Sequence, residues 1–157
     1  MGSIFKLQPY QAKPRYIPKT KKHEENLQRA ICTYIRRRYP DVIFRSDYSS
    51  GLRLTKNQAN INKSLQSGRA FPDLFLYEPR GDYAGLAIEL KKEGTAIIVT
   101  KGPRKGHLVA NEHLQEQYLV LKGLQRKGYK AEFGVGYEQT VKIIDSYMGV
   151  PENTELF

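Results

Sequence analysis

The chain is predicted to fold as an α/β sandwich on a mixed sheet. Apolar residues recur at helical spacing in separate stretches, short apolar runs lie between turn residues, and the order is helix, three strands, helix, strand, helix. Residues 23–38 are expected to form the first helix, because Leu27, Ile31, Tyr34 and Ile35 share a face and Pro40 ends the run. Residues 42–45 read as a short strand, and the polar stretch between Gly51 and Gly68 as a surface helix over 56–65. Strands over 71–77 and 85–91 are joined by Glu78-Pro79-Arg80-Gly81-Asp82, which makes them a hairpin. Residues 94–111, with Gly102, Pro103 and Gly106 among basic residues, read as a mobile, substrate-facing flap. The second long helix spans 112–126 and is closed by Gly128 as a left-handed cap; a strand over 130–135 and a helix over 138–147 complete the core. Gly134-x-Gly136 lacks the rest of a dinucleotide fingerprint and reads as a turn.

The 157 residues, 39% of them hydrophobic, supply one compact domain over 23–148 with a tail at each end. The basic N-terminal arm, residues 1–22, has six lysines and arginines, no carboxylate and three prolines, which suits an extended strap along a phosphate backbone or a solvated tail; residues 149–157 form the C-terminal tail. A net charge of +10 attracts polyanions, either a nucleic acid or an anionic membrane surface. No stretch reaches the ~20 apolar residues of a membrane span, and no signal-peptide core is present, so a cytoplasmic protein is expected. Cys32 cannot form an internal disulfide and reads as a buried small hydrophobe. His23, His107 and His113 lack the close spacing of a zinc site.

Chemistry concentrates in Pro72-Asp73 and Glu89-Leu90-Lys91. On an extended strand Leu86, Ile88 and Leu90 point to one side, and Glu89 and Lys91 to the other. If the hairpin register is favourable, Asp73 faces Glu89 at about 5 Å, where two carboxylates repel unless a cation lies between them. Phosphodiester hydrolysis needs such a cation to neutralise the phosphate, to make hydroxide from water and to stabilise the leaving oxygen. Magnesium, which prefers oxygen ligands and retains water, would be served by the two carboxylates and the Leu90 carbonyl, with Lys91 orienting or deprotonating the attacking water. Arg69 is a candidate phosphate ligand, and Lys92, Lys101, Arg104, Lys105 and His107 are candidates for the substrate path. Taken alone, a Glu-x-Lys pair is more often a solvated ion pair.

Four motifs together carry a resemblance: Glu24-x-x-Leu27-Gln28, Gly68-Arg69-x-x-Pro72-Asp73-Leu74, Glu89-Leu90-Lys91, and Gln117 ahead of Leu121, Leu124 and Gly128-Tyr129. Over residues 23–148 the chain resembles the PD-(D/E)xK nuclease superfamily and, within it, the VRR-NUC group found in bacteriophages. The resemblance implies a restriction-endonuclease-like sandwich with an αβββαβ core and a central mixed four-stranded sheet. It makes Asp73 and Glu89 metal ligands, Lys91 the catalytic lysine, Gln117 a contact to the site or scissile phosphate, and Glu24 an aid to metal binding. Glu24 shares a face with Leu27, Gln28 and Ile31, whereas Glu25 points sideways; for Gln117, Gln115 is the register alternative. The implied activity is a magnesium-dependent endonuclease, with manganese as a substitute, acting on branched or duplex DNA such as a four-way junction. Members that stand alone resemble junction resolvases that act as homodimers. The other readings are a catalytically silent nucleic-acid-binding module and a nuclease for RNA or single strands.

Overall fold

The computed structural model describes residues 23–47 and 54–149. The arm over 1–22 and all of the C-terminal tail beyond Gly149 lie outside the described residues. In chain order the elements are α1 (His23–Arg38), β1 (Phe44–Ser46), α2 (Lys56–Ser64), β2 (Leu74–Leu76), β3 (Leu86–Lys91), α3 (Glu112–Arg126), β4 (Lys130–Val135) and α4 (Gly136–Met148). The strands form one sheet in the order β1-β2-β3-β4, antiparallel except for the parallel pair β3–β4. A parallel pair needs a crossover, which α3 supplies. The αβββαβ core is thus present, with α2 inserted between β1 and β2 and α4 added at the end.

Strand alternation divides the core into two layers. Leu74, Leu76, Leu86, Ile88 and Leu90 pack against Ile31 and Ile35 of α1 and Ile143, Ile144 and Tyr147 of α4. On the opposite face Ala87 and Ala131 meet Leu121 of α3, with Phe75, Leu124 and Phe133 around them. The small residues there let α3 lie close to the sheet. Tyr34 and Tyr39 both donate to Asp145 Oδ1 at 2.6 Å, a polar clasp between the α1 region and α4. Burial and the Asp145 carboxylate hold both phenols well above their ordinary titration range.

The predicted bounds of α3 and β4 coincide with the observed ones. β2 is shorter than the expected 71–77 because Pro72 has no N–H to donate. Bonds from Asp47 N to Asp73 O and from Tyr77 N to Ile43 O, each 2.8 Å, still prolong the β1–β2 pairing. α4 begins earlier than expected, at Gly136, whose φ of 73° makes the turn from strand to helix. Gly134 serves packing: a Cβ there would lie 2.5 Å from Thr140 Oγ1 and 2.8 Å from Ile88 Cγ2. Residues 94–111 are not an irregular loop; they fold back as a short hairpin with Ile98 opposite Leu108 and Val99 bonded to both His107 O and Gly106 N. The apolar run 97–99 and its partner 108–109 supply the two arms. Cys32 is buried and its thiol is pushed up by desolvation, as an inert packing residue requires.

Candidate active site

The β2–β3 register decides which carboxylates meet. Leu74 pairs with Ile88, so one step further along the antiparallel ladder Asp73 faces Glu89. Asp73 Oδ2 accepts a 3.0 Å bond from Leu90 N. A strand residue's N–H and C=O leave by the same edge, so the Leu90 carbonyl also points towards Asp73. The Asp73 backbone is fixed from the other side: its carbonyl accepts from Ser46 Oγ at 2.9 Å and from Gln28 Nε2 at 3.5 Å, while Gln28 also donates to Ser46 Oγ at 2.7 Å.

Glu89 lies on the α3 face of β3 and is only 3% exposed. Both of its donors reach the same oxygen. Lys91 Nζ donates to Oε1 at 3.0 Å, and Gln117 Nε2, from α3, donates to Oε1 as well. Glu89 Oε2 is buried and has no hydrogen-bond partner among the described residues. Desolvation and the Asp73 carboxylate together push the Glu89 carboxyl up to about 8, against the opposing pull of Lys91. A carboxylate buried this deeply is costly unless a positive charge satisfies its remaining lone pairs.

This donor set fits a hard divalent ion. Asp73, Glu89 Oε2 and the Leu90 carbonyl are all oxygen donors at one end of one strand pair. Among the described residues no three His, Cys, Asp or Glu side chains form a cage, and magnesium does not need one, since one or two carboxylates and several waters suffice.

Of the predicted site residues, the structure brings Asp73, Glu89, Lys91 and Gln117 into one cluster with the backbone of Leu90. Gln117 is 5% exposed and reaches Glu89, whereas Gln115 is exposed to solvent. Glu24 lies in the first turn of α1, and its side chain is outside the described residues. Glu25 forms an ion pair with Arg29 at 2.9 Å along the helix surface. Arg69 is outside the cluster, paired with Glu116 of α3 at 3.0 Å. Lys92, Lys101, Arg104, Lys105 and His107 are exposed, on or beside the hairpin that connects the end of β3 to α3.

Three residues of the arrangement were not predicted as site residues: Gln28, Ser46 and His113. Gln28 carried a signal, being a polar residue on the apolar stripe of α1. His113 Nε2 lies 3.1 Å from Gln117 Nε2, one helical turn away, and α3 periodicity alone could have paired them.

No family model matches the chain, and no curated protein does. A solved structure described as a VRR_NUC domain protein superposes with a TM-score of 0.56 over 83% of this chain and 92% of that chain, at 20% identity. At that level of superposition the likeness is one of fold, and this protein, with its mixed four-stranded sheet flanked by helices, has the fold of a VRR_NUC domain protein.

Proposed function

We propose that the protein is a magnesium-dependent nuclease whose active site is Asp73, Glu89, Lys91 and Gln117. The observation that carries this reading is the lopsided satisfaction of Glu89: two donors converge on Oε1 while buried Oε2, beside a second carboxylate, has none among the described residues. A bound cation would supply the partner that this buried oxygen lacks and would hold the carboxyl in its charged form. The VRR_NUC fold and the four sequence motifs point the same way.

Asp73, Glu89 and the Leu90 carbonyl would hold the ion. When bound, it supplies charge neutralisation at the phosphate and acidifies water. The remaining work falls to the chain. Gln117 pins the Glu89 carboxylate so that Oε2 keeps its direction, and Leu90 N–H does the same for Asp73. Lys91, with Nζ 3.0 Å from Glu89 Oε1 and its side chain 15% exposed, is placed to orient the attacking water. Glu24, at the start of α1, is proposed to assist the metal site. Lys92, Lys101, Arg104, Lys105 and His107 bind the phosphate backbone beyond the cut, and Arg69 helps if it exchanges Glu116 for a phosphate. The substrate proposed is DNA, with branched forms such as a four-way junction preferred; two symmetric cuts there would call for a homodimer. Among the described residues no helix is long and apolar enough to cross a membrane, and a cytoplasmic setting is proposed.

The test is cleavage of a labelled four-way junction, with matched duplex and single-strand controls, by wild type and Lys91→Ala in magnesium, manganese or chelator. Metal-dependent junction cutting that the variant loses is expected. Cutting of the controls alone would remove the junction preference, and binding without cutting in every metal would replace the nuclease with a silent binding module.

A further inference from the structure

Helix α2 is nine residues long, has no buried residue and is held by a capping box between Thr55 and Gln58. A helix this short is marginal by itself in water, which raises the question of what it serves. Its half-buried side is marked by Asn62, bonded to Gln66 at 3.3 Å. Lys56, Asn60 and Lys63, at helical spacing on the opposite side, are all exposed.

The charge pattern and topology say what would cover that face. Residues 54–72 contain Lys56, Lys63 and Arg69 and no carboxylate; residues 94–111, the hairpin, contain Lys101, Arg104 and Lys105 and again no carboxylate. The turn at the other end of the sheet, by contrast, balances Arg80 with Glu78 at 3.1 Å and adds Asp82. Both acid-free segments leave the sheet at the end that carries the site: one joins β1 to β2 just before Asp73, the other follows β3 just after Lys91. The Asp73–Glu89 pair therefore lies between their points of departure.

We propose that the outer face of α2, through Lys56, Asn60 and Lys63, binds the phosphate backbone of the nucleic acid on the side of the site away from the hairpin. This rests on the nuclease reading above and adds a second contact surface to it. Two ammoniums and an amide, in a segment that has no carboxylate of its own, hold a polyanion by counterion release and fix its register, with no base reading required.

The test is the salt dependence of junction and duplex binding in chelator, for the full chain, comparing wild type with Lys56→Ala/Lys63→Ala. A control pair, Lys127→Ala/Lys142→Ala, removes the same charge from α4 and the far end of α3. Alanine favours the helix, so α2 should persist in the variant. The slope of log K against log salt is expected to shrink by about 1.8, at about 0.9 per lost phosphate contact, well beyond the control. In magnesium KM should rise with kcat kept. A wild type that cuts while the variant's slope matches the control would overturn the role of α2 and leave the nuclease intact. A wild type that neither binds nor cuts would overturn both. Should Ile61→Ser/Leu65→Ser split a dimer while the lysine variant keeps its slope, the partner of α2 is a second copy and the proposal falls.

Discussion

The two faces of β3 are buried alike and built oppositely. Leu86, Ile88 and Leu90 meet α1 and α4, and each such side chain taken from water stabilises the fold by roughly 1.5–3 kcal/mol. Ala87 and Glu89 meet α3, and the buried polar group there is a carboxyl with one oxygen unpartnered among the described residues. A single strand thus holds the protein together on one side and concentrates unfavourable charge on the other. The cost of the polar face is tolerated because the apolar face has already fixed the strand.

Substitutions on the two faces should separate activity from stability. Glu89→Gln keeps an acceptor for Lys91 and Gln117 and removes the buried charge. Cleavage should fall about a thousandfold or more, the effect of losing several kcal/mol of charge stabilisation, while the cation-free protein at pH 8 melts higher than wild type. A lower melting point would mean that the carboxylate is structural. Ile88→Ala, one residue away on the other face, should instead cost about 2–5 kcal/mol in denaturant unfolding, with activity following the folded fraction.

Proton linkage sharpens the contrast. Glu89 keeps its proton in the folded state up to about pH 8, whereas an unfolded glutamate loses it above roughly 4.3. Between those values the folded state binds more protons, so stability falls as pH rises, by at most about 1.4 kcal/mol per unit, and levels off above the window. Glu89→Gln should flatten that slope, and magnesium at pH 8 should restore melting temperature to wild type only. Thermal melts across pH 5–9 decide it. Smaller effects are expected from packing and from the clasp. Gly134→Ala drives a methyl into Thr140 and Ile88 and should cost about 1–3 kcal/mol. Tyr39→Phe removes one of two bonds to Asp145 and should cost about 1 kcal/mol, both read by denaturant titration.

Much of this was legible in the sequence because it depends on local period and register. The bounds of α3 and β4 agree with the structure since the apolar spacing and Gly128 as stop point to the same ends, and the Asn111 side chain caps the start of α3. Asp73, Glu89 and Lys91 follow from strand alternation and one hairpin turn. What escaped depends on tertiary approach. Gln28 meets Ser46 and the Asp73 carbonyl only once α1 has docked, and the Arg69–Glu116 pair joins two segments far apart in the chain. The flap's hairpin was signalled by paired apolar runs, but its glycines and charges read more strongly as loop.

The β2–β3 hairpin carries both carboxylates and the lysine, and among the described residues the longer connections on either side of it contribute none of the bonds to Glu89. Because lengthening a surface connection costs closure entropy only logarithmically, those connections can be resized or exchanged without redrawing the reactive cluster. The architecture separates a fixed polar cluster from replaceable fittings, so under the proposed nuclease reading a chimera that swaps residues 54–70 or 95–110 should change substrate preference while leaving the Asp73–Glu89–Lys91 geometry as it is.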